Sequence, residues 1–74
     1  MMNSIYDVRQ LLKKFGTFIY VGDRLGDLQL MEEELKELYR SQLVDTRDYQ
    51  MALLLLRQEQ ALLNQQKEGN NHES

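Results

Sequence analysis

Apolar residues recur at every third or fourth position near the start of the chain and predict an amphipathic helix from Ser4 to Phe15. Ser4 followed by Asp7 is typical of a helix N-terminus, because the hydroxyl accepts from a first-turn amide and the carboxylate faces the positive end of the helix dipole. Gly16 follows where helices commonly end, since glycine adopts positive φ at little cost. The predicted core-facing stripe consists of Ile5, Val8, Leu11, Leu12 and Phe15.

A short run of β-forming residues, 17–21, separates this helix from the next. The chain offers no second strand to pair with it, so its backbone groups lack sheet partners. We therefore expect an extended connector that packs Phe18 or Ile19 against the helices. Asp23 or Asp27 is predicted to cap the helix that follows.

Two longer periodic segments predict an antiparallel pair of helices. The second helix is expected from about Asp23 to Ser41, and its glutamate run, 32–34, is interpreted as a solvated face because neighbouring helical positions diverge. After a short turn, Asp45 or Thr46 caps the third helix, which is predicted to end near Gln66. The apolar positions are Leu28, Met31, Leu35, Leu38 and Tyr39 in the second helix and Tyr49, Ala52, Leu53, Leu56 and Leu63 in the third.

These segments together predict an all-α fold, a compact three-helix bundle with an extended connector between helices 1 and 2. We expect a single domain over residues 1–66 and a disordered polar tail over residues 67–74. A chain of 74 residues is short for an independent core, so very regular packing or self-association is expected to support it.

The composition argues against catalysis. The chain has no cysteine and one histidine, His72, in the polar tail, so disulfides and thiolate metal sites are excluded and no nucleophile–base pair is evident. We predict that the protein is not an enzyme and has no cofactor or metal. No apolar run approaches the ~18 residues that span a membrane, and the first residues lack the features of a signal peptide. A cytoplasmic protein without a membrane partner is therefore expected.

Charge is distributed unevenly along the chain. Residues 1–24 hold four basic and two acidic residues, whereas residues 25–74 hold five basic and ten acidic ones, and four of the six aromatic residues lie in the first twenty positions. Single-stranded nucleic acid is bound by basic side chains along its phosphates and aromatic side chains stacked on its bases. Against this function, the overall pI is near 5.0. The candidate residues for binding DNA or RNA are Tyr6, Arg9, Lys13, Lys14, Tyr20 and Arg24.

The last helix carries a second apolar stripe in addition to its core-facing one. A helix that is apolar over more than half its circumference is either buried by two neighbours within the bundle or exposes a protein interface. The alternative function is therefore a protein–protein adaptor or a homodimerising module. The candidate interface residues are Met51, Leu54, Leu55 and Leu62.

The run Gly-Thr-Phe-Ile-Tyr-Val-Gly-Asp-Arg-Leu-Gly-Asp, residues 16–27, resembles the YqgQ-like family of small uncharacterised bacterial proteins, and the resemblance extends over roughly residues 5–60. This resemblance implies a compact, cytosolic three-helix bundle of low-GC Gram-positive bacteria. It implies no assigned enzymatic activity, no cofactor and no catalytic motif whose residues can be transferred to this chain.

Overall fold

The computed structural model describes residues 2–72, with side chains described as far as Gln66. Over this range the chain forms three helices, α1 (Ile5–Lys14), α2 (Arg24–Arg40) and α3 (Thr46–His72), with no strand among the described residues. The predicted all-α three-helix bundle is confirmed. None of these described helices contains a stretch long and apolar enough to cross a membrane.

Helix α1 begins and ends at the predicted signals. The Ser4 hydroxyl accepts from the amide of Asp7 at 3.3 Å, and the Asp7 carboxylate accepts from the amide of Asn3 at 3.0 Å. Gly16 has φ +83°, in the left-handed region that glycine tolerates. The chain leaves α1 through this glycine and continues as the connector of residues 17–21, which has no regular secondary structure.

Helices α2 and α3 are capped by aspartates and form the predicted helical hairpin. Asp23, rather than Asp27, caps α2 by accepting from the amide of Gly26 at 2.8 Å. Asp45, rather than Thr46, caps α3 by accepting from the amide of Asp48 at 2.8 Å. These side chains satisfy backbone donors that a helix N-terminus leaves free, so each cap fixes where its helix starts.

The buried core is made by the predicted stripes, which meet along the centre of the bundle. Phe15 is 37% exposed and lies outside the buried core, so its predicted place in the core-facing stripe is wrong. Of the two connector residues expected to pack against the helices, Ile19 does so and Phe18, 81% exposed, does not. Burial of this apolar surface is the main force that stabilises the fold. The buried apolar residues are Val8, Leu12, Leu28, Met31, Leu35, Leu38, Val44, Ala52 and Leu56.

Helix α3 is longer than the sequence pattern predicts. The pattern places its end near Gln66, whereas the helix continues to His72. Lys67 and Glu68 favour helix, and although Gly69 and the two asparagines after it are weak helix formers, no proline interrupts the segment and extending an existing helix is easier than starting one. Of the predicted tail, residues 67–72 therefore continue α3 as backbone, and residues 73–74 lie outside the described part of the chain.

Glu32 links α2 to α3, which corrects the interpretation of residues 32–34 as a solvated face. Its side chain is 14% exposed, and its carboxylate accepts from Gln60 Nε2 at 2.9 Å and Arg57 at 3.3 Å while Lys36 Nζ lies 3.1 Å away. Burial raises the pKa of Glu32, but the bonds from Gln60, Lys36 and Arg57 outweigh it and hold the pKa below its ordinary value. Glu33, with its side chain 75% exposed, fits the original interpretation.

Replacing Glu32 by Gln is expected to lower the free energy of unfolding by about 1 kcal/mol at pH 7, because two cations lose their carboxylate. A depressed pKa in the folded state contributes stability above the unfolded pKa that is lost as pH falls through the folded pKa. The difference between wild type and variant should therefore shrink between about pH 5 and pH 3. Urea unfolding of wild type and variant at about pH 5 and about pH 3 measures this difference in the free energy of unfolding. Glu33→Gln, the exposed neighbour, should show little effect at either pH, and an equal effect of both variants would contradict the link.

Candidate nucleic-acid interface

One face of α1 presents aromatic, polar and basic side chains toward the connector. Tyr6, Gln10 and Lys13 recur at helical spacing, so they lie along one side of the helix. Ser4 and Asp7 form the cap at the start of α1. The hydrogen bond from the Asn3 amide is the main cause that lowers the pKa of the Asp7 carboxyl. The local sequence therefore fixes where α1 starts, and with it which residues share this face.

A buried carboxylate holds the connector against α1 and α2. Asp27, 4% exposed, accepts from the amide of Val21 at 2.7 Å. Its other oxygen lies 3.7 Å from the Arg9 guanidinium, and Arg9 also donates to the carbonyl of Ile19 at 3.0 Å. Arg9 and Asp27 thus bond to the connector from two different helices and fix its path across the bundle.

A small cavity of about 130 Å³ lies between α1 and the connector. Drug-sized ligands occupy pockets of about 300–1,000 Å³, so this one is suited to a single small group rather than a whole cofactor. Tyr6 and Phe18 both line it, and they are 67% and 81% exposed. The lining residues are Tyr6, Arg9, Gln10, Leu12, Lys13, Thr17, Phe18, Ile19 and Met31.

The structure brings together three of the six predicted binding residues, Tyr6, Arg9 and Lys13, around this cavity. The other three lie elsewhere. Lys14 lines a separate shallow surface near Asp48, and Tyr20 is 75% exposed on the connector outside the cavity lining.

Two of the predicted cationic residues are already bonded to carboxylates. Arg24 pairs with Glu59 at 3.0 Å, and Arg9 pairs with Asp27. Lys13 and Lys14 are exposed, and neither forms an ion pair with the residues whose side chains are described. The cations best placed to meet a phosphate are therefore the two lysines.

Phe18 is a candidate site residue that the sequence analysis offered, as the alternative to Ile19, for packing against the helices. The signal that identifies it is alternation, because successive side chains of an extended segment point to opposite sides. Thr17 and Ile19 are partly buried, whereas Phe18 and Tyr20 are exposed. Once Ile19 is taken as the inward residue, both aromatic neighbours must face outward.

The second apolar stripe of α3 lies mainly on the surface. Met51, Leu54 and Leu62 are 39%, 51% and 53% exposed, so neighbours within the bundle do not cover them. Leu55 is partly buried and packs against the core. Of the four candidate interface residues, three are therefore exposed and one also supports the fold.

Comparisons with known proteins agree with the resemblance seen in the sequence. The family described as YqgQ-like matches residues 2–62, a range that contains the whole cavity lining. The "Uncharacterized protein YqgQ" of Bacillus subtilis (strain 168) is 44% identical over 68 residues, which cover 92% of this chain and 92% of that protein. The similarity thus spans the bundle and most of α3.

Proposed function

The chain belongs to the YqgQ-like family, and we propose that it is a cytoplasmic, non-enzymatic protein that binds single-stranded nucleic acid at the cavity between α1 and the connector. The observation that supports this proposal most directly is the exposure of Tyr6 and Phe18 on the same small cavity, with Lys13, which pairs with no described carboxylate, beside them. Large exposed aromatic side chains that share one cavity are characteristic of binding surfaces.

The aromatic residues favour an unpaired strand over a duplex. A base inside a duplex is stacked on both sides, whereas an unpaired base can turn out and stack on an aromatic ring. Base–aromatic stacking contributes about 1–3 kcal/mol per base and tolerates any sequence, because every base has a π face. With Tyr6, Phe18 and the nearby Tyr20 exposed, the surface fits one or two bases with little sequence preference.

The charges predict weak and moderately salt-dependent binding. Arg9 and Arg24 are occupied by carboxylates, so Lys13 and Lys14 remain to neutralise phosphates. Each neutralised phosphate of a single strand contributes about −0.7 to the slope of log K against log salt concentration, so two lysines give a slope of about −1.4. The net charge of −3 opposes binding further at low ionic strength.

We expect Lys13→Glu to weaken binding of a fluorescently labelled single-stranded oligonucleotide about tenfold at low salt, because it replaces a phosphate contact by repulsion. Phe18→Ala should weaken binding to a similar extent through lost stacking. Since both side chains are exposed, both variants should fold normally. Fluorescence anisotropy at low and moderate salt, with circular dichroism of each variant, measures these effects.

Arg40→Glu is the matched control, because it makes the same change in net charge at the far end of α2, where Arg40 pairs with Glu37 at 2.8 Å. It should bind almost as well as wild type. Equal weakening by the Arg40 and Lys13 variants would mean that only overall charge matters, and this would contradict a site at the cavity. Absence of binding at low salt would show that the proposed function is wrong.

A further inference from the structure

The cavity between α1 and the connector is apolar on its inner side and aromatic at its edge. Leu12 and Met31 line it and are buried, whereas Tyr6 and Phe18 line it and are exposed. A group that enters the cavity therefore leaves water and contacts apolar side chains, and it can stack on an aromatic ring at the edge. An uncharged flat ring fits these surroundings best, and the bases of nucleic acids are rings of this kind.

The size of the cavity limits which base can enter it. Its volume is about 130 Å³, and a protein cavity of about 150 Å³ holds a single benzene ring. The cavity therefore accommodates the one ring of a pyrimidine but not the two fused rings of a purine. Because the sugar of a purine is attached to its second ring, a purine that enters leaves that ring outside and keeps its sugar and phosphate further from the protein.

Two polar side chains of the cavity lining have hydrogen-bonding groups that the described part of the chain does not use. Gln10 and Thr17 form no side-chain hydrogen bond with the residues whose side chains are described. Arg9, by contrast, donates to the carbonyl of Ile19 at 3.0 Å and lies beside Asp27. The polar groups best placed to meet a base are therefore the Gln10 amide and the Thr17 hydroxyl.

Gln10 and Lys13 favour the shorter base because they lie close together. They are three residues apart on α1, and such positions on a helix have Cβ atoms about 5–6 Å apart. The Gln10 amide carries a donor and an acceptor, which match the donor and acceptor on the Watson–Crick edge of thymine, uracil or cytosine. That edge is unpaired in a single strand. A pyrimidine holds its edge closer to its phosphate than a purine does, so it meets both side chains more readily.

On the basis of the proposed single-strand binding, we infer that the cavity takes the base of one pyrimidine nucleotide. Gln10 pairs with the Watson–Crick edge of this base, and Lys13 contacts the adjoining phosphate. The amide of Gln10 can turn over to exchange its donor and acceptor, so thymine, uracil and cytosine are all accepted. The exposed rings still stack on any base, so the preference applies to one nucleotide of the bound strand and its neighbours stay unrestricted.

Strands that carry a single base test this preference without the stacking of bases on one another, which by itself alters the binding of purine runs. Labelled strands of abasic units, each with one base at its centre, are titrated at low salt by fluorescence anisotropy. The thymine and cytosine strands should bind about fivefold more tightly than the adenine and guanine strands, which is the lower end of the range for one bidentate pair. Equal binding of the four strands, or binding of a natural oligonucleotide alone, would overturn the pyrimidine preference and leave the proposed function intact. Absence of binding by all of these strands would overturn both.

Gln10→Ala tests the residue that reads the base. It should reduce the ratio of pyrimidine to purine affinity from about five to about one, because it removes the paired amide and widens the cavity. Gln10 is exposed and alanine is a strong helix former, so the variant should fold normally, which circular dichroism verifies. Gln29→Ala is the matched control, since Gln29 is an exposed glutamine of α2 outside the cavity lining, and it should keep the wild-type ratio. An unchanged ratio in the Gln10 variant would overturn the role of Gln10 in selecting the base.

Discussion

Replacing Asp27 by Ala is expected to lower the free energy of unfolding by about 2 kcal/mol and to release the connector from α1. The carboxylate accepts from the Val21 amide at 2.7 Å and faces the Arg9 guanidinium at 3.7 Å, with its own side chain 6% exposed. A fully buried pair that loses one partner costs about 3–5 kcal/mol. The smaller figure applies here because the Arg9 side chain is 32% exposed and water can solvate it.

Asp48→Ala provides the matched control for this substitution. Asp27 and Asp48 both lie in the first turn of their helices, so both interact with a helix dipole. Asp48 is exposed, and its loss should change stability by no more than about 0.5 kcal/mol. Chemical denaturation of both variants isolates the contribution of the connector bonds. Equal losses would contradict the assignment of a connector-holding role to Asp27.

Asp27→Asn separates the hydrogen bond from the charge. The amide oxygen of Asn can still accept from Val21, whereas the charge that faces Arg9 is lost. We expect an intermediate loss of stability, with the connector still in place. In the oligonucleotide titration the Asn variant should then bind nearly as wild type does, and the Ala variant should bind less well because Phe18 is no longer held beside α1.

Local signals account for how well the helices are predicted. Ser4 caps α1 as predicted, and Asp23 and Asp45, each one of two predicted alternatives, cap α2 and α3. Gly16 takes the positive φ expected after α1. Caps and periodic stripes act within a few residues, so the information for them is contiguous in the sequence. The end of α3 is predicted less well, because Gly69 and the two asparagines after it are typical of a helix stop, whereas the helical backbone continues to His72.

Contacts between distant residues account for what the sequence does not reveal. Asp27 is a plausible cap by position, yet its carboxylate is used by Val21 and Arg9, which belong to the connector and to α1. Glu32 appears solvated within its own helix, but its partners Arg57 and Gln60 lie on α3. Each interaction depends on how the helices pack, which single-helix patterns do not encode.

In the candidate site, too, the residues on one helix are predictable from the sequence, whereas the residue from the connector is not. Tyr6, Arg9 and Lys13 are correctly grouped because they share one face of one helix, where spacing alone determines proximity. Phe18 enters the same cavity from the connector, so its position depends on which connector residue points inward. Composition identified the basic, aromatic end of the chain, and the fold decides which of its residues lie together.

Replacing Leu35 by Ala is expected to have the largest effect on the fold, lowering the free energy of unfolding by about 3 kcal/mol. Leu35 is 0% exposed at the centre of the core, so its truncation removes buried contacts and leaves a cavity. A chain of this size is expected to have only about 3–5 kcal/mol of total stability. The variant should therefore lose roughly 15 °C in melting temperature, measured by circular dichroism.

The matched control for Leu35 is Leu30→Ala on the same helix. Leu30 is 45% exposed, so its truncation should cost less than about 1 kcal/mol, and a comparable loss from both variants would contradict the observed burial.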